Sequence, residues 1–151
     1  MTDSNLVTLL VVVLSLSILL ALWVGILWIV ARTSGWLTLS ERYAAEVPFN
    51  GKRCRCRTIY LLNGSKQAKY KGSIKLKVNE EGLYLRPILL CRVYHPSLYI
   101  PWTDISKTTE TVMSFSIARL KFKQTPFVSM RISDRVVMHL EEIKGSTISK
   151  K

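Results

Sequence analysis

An uninterrupted apolar run from Leu6 to Ala31 constrains this chain more than any other feature. It holds no charge and no proline, and its polar or glycine positions are confined to Thr8, Ser15, Ser17 and Gly25. As a helix these residues rise about 39 Å against a hydrocarbon core of about 30 Å, so the segment spans a bilayer with tilt or an overhanging turn. A buried soluble helix keeps a polar stripe at helical spacing, whereas this run is apolar all round. The rest of the chain therefore reads as a small domain held beside a membrane.

Charge sets the expected orientation. Residues 1–5 carry no Lys or Arg, while Arg32, Arg42, Lys52, Arg53, Arg55 and Arg57 follow the run. Lys/Arg excess marks the cytoplasmic flank, which predicts a single-pass protein of the cell inner membrane, N-terminus out and C-terminal domain cytoplasmic. Trp23, Trp28 and Trp36 gather at the same C-terminal end, where indoles favour the headgroup layer. A cleaved signal peptide would want a basic start, a shorter apolar core and a small-x-small cleavage site, and the sequence supplies none of them. Cys54, Cys56 and Cys91 are odd in number and lack disulfide-framework spacing, in keeping with a reducing compartment. Within the span, Ser17, Ala21 and Gly25 recur every fourth residue, a pattern that lets a second helix approach closely and marks a possible membrane-protein partner.

The residues behind the anchor suffice for one domain with a modest core. The expected organisation is an extracytoplasmic N-terminus (1–5), a transmembrane helix (6–31), a juxtamembrane amphipathic helix (34–47), a folded domain (52–144) and a disordered basic tail (145–151). From Lys52 the period becomes two: Arg53, Arg55 and Arg57 point one way, Cys54, Cys56 and Thr58 the other, in a strand continuing to Leu62. Asn63-Gly64 signals a hairpin into a strand at Ala68–Tyr70. Ser73–Val78, Leu83–Leu85 and Leu98–Ile100 read as further strands, with a tight turn at Glu80–Gly82. The segment after Ile105 reads as strand or loop, and Arg119–Lys123 pairs with Phe127–Ile132. Ser133 then caps a final helix, with Val136, Val137, Leu140 and Ile143 on one face and Gly145 as its stop.

Several antiparallel strands closed by one helix make an α+β, mainly β plan. Val78–Leu85, with its Gly-Leu-x-Leu element, and His95–Ile105, with Ile-Pro-Trp-x-x-Ile, together with Gly35-Trp36 and Tyr43, resemble small bacterial membrane proteins carrying a pleckstrin-homology-like (GRAM-like) domain. The resemblance implies a split β-barrel of about seven strands capped by a C-terminal helix, with Trp102 packed into it. The Thr108–Ser116 stretch and the short final helix depart from that pattern.

No enzyme constellation stands out. The sequence has no Gly-rich phosphate loop, no Gly-x-Ser-x-Gly elbow and no His-Glu-x-x-His, so neither catalysis nor a cofactor is expected. One metal-like set, Cys54, Cys56, Cys91 and His95, competes with the simpler view that cysteines are small buried hydrophobes. The 22 Lys and Arg all follow the span, against nine of the ten acidic residues. Two clusters stand out: Lys52, Arg53, Arg55 and Arg57, then Lys66, Lys69, Lys71, Lys75 and Lys77, which a hairpin at Asn63-Gly64 would bring onto neighbouring strands. Such unbalanced charge repels itself unless lipid, counterions or an acidic partner offset it. The expected function is a non-catalytic membrane-anchored module contacting anionic headgroups of the inner leaflet, or serving as accessory or scaffold subunit of a membrane complex. Two other classes remain: a basic domain binding nucleic acid or ribosome, and a structural zinc module or small membrane enzyme. Nucleic acid is the less favoured partner because the sheet offers few aromatics for stacking bases.

Overall fold

The computed structural model describes residues 3–45, 51–56, 58–112 and 115–148. Its first element, α1 (Asp3–Ser34), is one continuous helix of 32 residues. Through Trp23 every described position is exposed, as a lipid-facing helix requires. The hydroxyls within its apolar run are satisfied internally: Thr8 donates to the Ser4 carbonyl at 2.9 Å, Ser15 to Val11 at 2.7 Å and Ser17 to Val13 at 2.8 Å. At the other end Leu27, Ala31 and Ser34 are buried against the domain. Counted from Leu6, about 20 residues cross the hydrocarbon, so α1 runs on for about nine residues beyond Gly25 to Ser34. Those surplus residues include Leu27 and Ala31, so the overhang is used as a docking surface.

Gly35 ends α1 with φ +82°, and a Cβ there would come within 2.7 Å of Val128 Cγ2. Both the left-handed backbone and the close approach demand glycine. After it comes α2 (Trp36–Tyr43), which buries Trp36, Leu39 and Tyr43 at spacings of three and four. The amphipathic helix expected over 34–47 is confined here to Trp36–Tyr43: Ser34 belongs to α1, the backbone is no longer helical at Ala44, and residues 46 and 47 lie outside the described residues. Its buried face meets the domain, with the Ala45 N–H donating to the Ser97 carbonyl at 2.8 Å.

The domain is two antiparallel sheets. One holds β1 (Lys52–Cys54), β4 (Ile74–Val78), β5 (Gly82–Pro87) and β6 (Leu98–Pro101) in the order β1-β4-β5-β6. The other holds β2 (Thr58–Asn63), β3 (Lys66–Lys71), β7 (Ile105–Val112), β8 (Phe115–Phe122) and β9 (Thr125–Ser133) in the order β3-β2-β9-β8-β7. Alternation sends Leu76, Val78, Leu83, Leu85, Leu98 and Ile100 from the first sheet into one core with Ile59, Leu61, Leu120, Phe122, Met130 and Ile132 from the second. The last helix, α3 (Asp134–Ile148), adds Val137 and Leu140.

Several turns form as their residues dictate. Asn63 pairs with Lys66 across Gly64 and Ser65, and Gly64 takes φ +58°. The Asn79 side chain accepts the backbone N–H groups of Glu81 and Gly82 at 3.0 and 2.8 Å. A Cβ on Gly82 would sit 2.6 Å from the Ile100 carbonyl oxygen, so only glycine lets β5 and β6 approach there.

Four expectations change. The stretch read as one strand from Lys52 to Leu62 is two strands in different sheets, because Arg53 pairs with Lys77 while Tyr60 pairs with Lys69. Thr108–Val112 and Phe115–Ser116 pair within β7 and β8, residues 113 and 114 lying outside the described residues, so the described residues hold nine strands where about seven were expected, and the two sheets do not close into one barrel. Trp102 is only half-buried: its indole N–H donates to the Asn79 carbonyl at 2.9 Å and its ring lies against the edge of the core. Finally, α3 runs past Gly145 to Ile148, since one glycine costs a helix only about 1 kcal/mol; residues 149–151 lie outside the described residues.

If the end of the span is part of the core, Ala31→Leu overpacks a fully buried position and lowers stability by about 1–3 kcal/mol. Thermal unfolding of the full chain in mild detergent checks this, with Leu20→Ile at an exposed position of α1 as the control expected to melt like the parent.

Candidate functional site

The anchor and the domain meet at a buried polar cluster. Tyr70, on β3, donates its hydroxyl to Ser34 Oγ at 2.9 Å, and His95 Nε2 lies 3.0 Å from the same phenol oxygen. Ser34 Oγ also accepts the Trp36 backbone N–H at 3.3 Å, and the Trp36 indole N–H donates to the Pro96 carbonyl at 3.1 Å. The three rings enclose the bonds, with centroids 5.6 Å apart for Trp36–Tyr70, 5.2 Å for Trp36–His95 and 5.7 Å for Tyr70–His95.

Burial sets the protonation states here. It pushes the Tyr70 phenol up to about 12, with the Ser34 bond opposing and Cys91 reinforcing the rise. It also drives His95 down to about 4, against a smaller upward pull from the Cys91 backbone. His95 is therefore neutral at physiological pH, and its buried Nδ1 makes no hydrogen bond of good geometry. The sequence singled out His95 only as a member of the metal-like set and of the His95–Ile105 element, not as a partner of Ser34 and Tyr70. Ser34 and Tyr70 stand 61 and 25 residues away from it, and no local pattern links them.

One residue beyond Tyr70 the surface becomes strongly basic. Arg53, Arg55, Lys71 and Lys75 line an open groove of about 510 Å³ with Cys54, Cys56, Gly72 and Ile74. All four cations are exposed. They come together because β3 hands over to β4 through Gly72, at φ +68°, where the two sheets meet. Arg53 stands opposite Lys77, and Lys75 opposite Arg86. Like charges directly opposite one another across strands repel. Among the described residues none of Lys52, Arg53, Arg55, Lys66, Lys71 or Lys75 has an acidic partner.

The two basic clusters do not merge on one hairpin as expected. Lys52 and Arg53 pair with β4, and Lys66, Lys69 and Lys71 sit on β3 in the other sheet; Lys69 stacks over the Tyr60 ring at 5.6 Å. Arg57 lies outside the described residues. Arg86 escaped the sequence reading, since only the β4–β5 register reveals it opposite Lys75. A larger cleft of about 600 Å³ includes Arg131, but Glu110 already pairs with that guanidinium at 3.1 Å and with Arg119 at 3.0 Å. Lys107 likewise meets Glu141 at 3.1 Å, so several acidic groups are spent on β7, β8, β9 and α3, away from the basic groove.

The candidate metal ligands are not assembled. Among the described residues no three His, Cys, Asp or Glu side chains gather. Cys54 is buried and burial raises its thiol pKa, with Cys56 adding to the rise; burial raises Cys56 and Cys91 too. Thiols held protonated are poor ligands and poor nucleophiles. Cys56 Sγ instead donates to the Thr58 carbonyl at 3.3 Å. Of the small-residue face, Ser17 and Ala21 are exposed, and a Cβ on Gly25 would meet nothing within 4 Å. Comparison with known proteins returns no match to a family model, to a curated protein or to a solved structure.

The buried neutral histidine predicts a pH dependence. In the unfolded chain His95 titrates near 6.5, and in the folded chain near 4. The unfolded state therefore binds more protons between these values, and stability present above the unfolded value is lost as pH falls towards the folded one. Moving from pH 7 to pH 5 should cost about 2 kcal/mol. The thermal midpoint of the full chain should fall over that interval, and the fall should be largely absent in His95→Gln.

Proposed function

We propose that this protein is a non-catalytic, single-pass inner-membrane module whose cytoplasmic domain, of pleckstrin-homology-like type, contacts anionic headgroups of the leaflet next to it. The observation that carries this reading is the groove of Arg53, Arg55, Lys71 and Lys75, which begins one residue beyond the tyrosine bonded to Ser34 at the end of α1. A rigid junction of that kind holds cations near the headgroups, where each Lys or Arg within a Debye length contributes about 1 kcal/mol. The cations lack acidic partners among the described residues, so bound anionic lipid would relieve their mutual repulsion. The face of Ser17 and Ala21, both exposed, with half-buried Gly25 favours, as a second reading, an accessory subunit packed beside another membrane helix.

Lipid preference of the purified full chain tests the first reading. In mild detergent, added phosphatidylglycerol should raise the thermal midpoint and phosphatidylcholine should not, because a ligand stabilises the state that binds it. Arg53→Gln, Arg55→Gln, Lys71→Gln and Lys75→Gln combined should remove the preference, at about 1 kcal/mol per charge, while the unliganded melt stays near that of the parent. Salt should weaken the parent's response. An unchanged response in the fourfold variant, or displacement of lipid by short RNA, would overturn this reading.

Orientation has its own check. The confinement of Lys and Arg to the C-terminal flank predicts that a cysteine at Thr2 reacts with impermeant reagent on intact cells, while one at Lys151 reacts only after lysis. The reverse pattern would move the basic groove to the other side of the membrane and remove the inner leaflet as its partner.

A further inference from the structure

Between β5 and β6 the chain makes a short 3₁₀ turn at Leu89–Cys91 and continues through Arg92 and Val93 to the buried His95. Three large apolar side chains here face solvent: Leu89 is 76% exposed, Leu90 65% and Val93 57%. Elsewhere in the folded domain large apolar groups go mostly inward, so three exposed within five residues form a concentrated patch.

Its position is tied to the anchor. The Ile88 N–H donates to the Ser73 carbonyl at 2.9 Å, beside the basic groove. At its other end His95 shares the Tyr70 hydroxyl with Ser34, and the Pro96 carbonyl accepts from the Trp36 indole at 3.1 Å. If the hydrocarbon begins at Leu6, its inner edge falls near Gly25, and Ser34 stands about 13 Å beyond it. A segment tied down at Ser34 and running through five residues from Leu90 to His95 has the reach to return to that boundary.

We propose that the Leu89–Val93 turn is a second, apolar foothold, with Leu89, Leu90 and Val93 seated at the headgroup–acyl boundary of the bilayer that α1 spans. This rests on the reading above, that the domain lies on the leaflet beside its anchor. The lipid boundary suits the patch because exposed Arg92, whose Nε–H donates to the Pro87 carbonyl at 3.4 Å, lies among the three and can keep its charge among the headgroups. Basic groove and apolar turn flank Ser73 and Ile88, so a single approach to the surface serves both. With α1 as one contact and the turn as another, the domain's tilt against the leaflet is set from two sides.

Photo-crosslinking of the full chain in nanodiscs tests this. A benzophenone side chain is placed at Leu90 and, as a control, at Thr109, an exposed position on β7 at the opposite edge of the five-stranded sheet from β3. Irradiation should attach lipid acyl chain at position 90 in both phosphatidylcholine and phosphatidylglycerol discs, since apolar seating does not require lipid charge, and should attach none at 109. With the probe moved to Val93, Leu89→Ser and Leu90→Ser should lower lipid adducts several-fold without shifting the thermal midpoint. Absence of lipid adducts at 90, adducts equal to those at 109, or adducts to a second protein chain in place of lipid would overturn the foothold. The phosphatidylglycerol preference of the same preparation in detergent reads the basic groove separately, so a failed turn with intact preference is distinguishable from failure of the leaflet reading itself.

Discussion

The Ser34 hydroxyl accepts the Tyr70 proton at 2.9 Å at the very end of a membrane-spanning-length helix, and the mutual placement of anchor and domain depends on that junction. A helix that merely ended at the headgroups would leave its domain on a tether. Here Ala31 and Ser34 are fully buried, Trp36 follows immediately into the same core, and Gly35 turns the chain between them within one residue. Rearranging this junction would strand buried polar groups, each of which costs roughly 1–3 kcal/mol when left unpaired. The last turns of α1 are therefore as much a part of the domain as any strand, and removing them would open the core.

Charge is segregated around that junction. Glu110, Glu141 and Asp134 are occupied with Arg119, Arg131 and Lys107 along β7, β8, β9 and α3. Among the described residues Arg53, Arg55, Lys71 and Lys75, where the sheets meet, have no such partners. The arrangement pairs part of the charge on one flank and leaves the groove cations, which begin beside the residue that holds the anchor, without such pairing among the described residues. An exposed apolar turn next to the same groove adds a second chemistry suited to the same surface, since headgroup layers accept charge and their inner boundary accepts leucine.

Much of the fold was legible in the residues. Lys75 and Lys77 alternate with Ile74, Leu76 and Val78, Gly64 opens the two-residue hairpin turn after Asn63, and the last helix starts at Asp134 just after Ser133, all through local backbone and side-chain preferences acting over a few residues. Alternation could not reveal that the chain from Lys52 to Leu62 changes sheets, because period two is the same whichever partner a strand pairs with. The basic residues were visible in the same way, as two clusters along the chain. Their grouping into Arg53, Arg55, Lys71 and Lys75, the addition of Arg86 opposite Lys75 and the separation of Lys66 from the groove all followed from register.

By itself the sequence determined that the chain carries a span-length apolar helix, that the charge surplus lies wholly behind it, and that the domain alternates like a sheet protein, because hydropathy, charge and period are properties of neighbouring residues. Tertiary structure alone decided what becomes of the helix overhang, which histidine is buried neutral, which cations share a groove and which leucines remain exposed. Each of these depends on residues far apart in the chain, such as Ser34, Tyr70 and His95, and no local preference encodes a meeting between them. Only the packing of one core brings them within hydrogen-bonding distance.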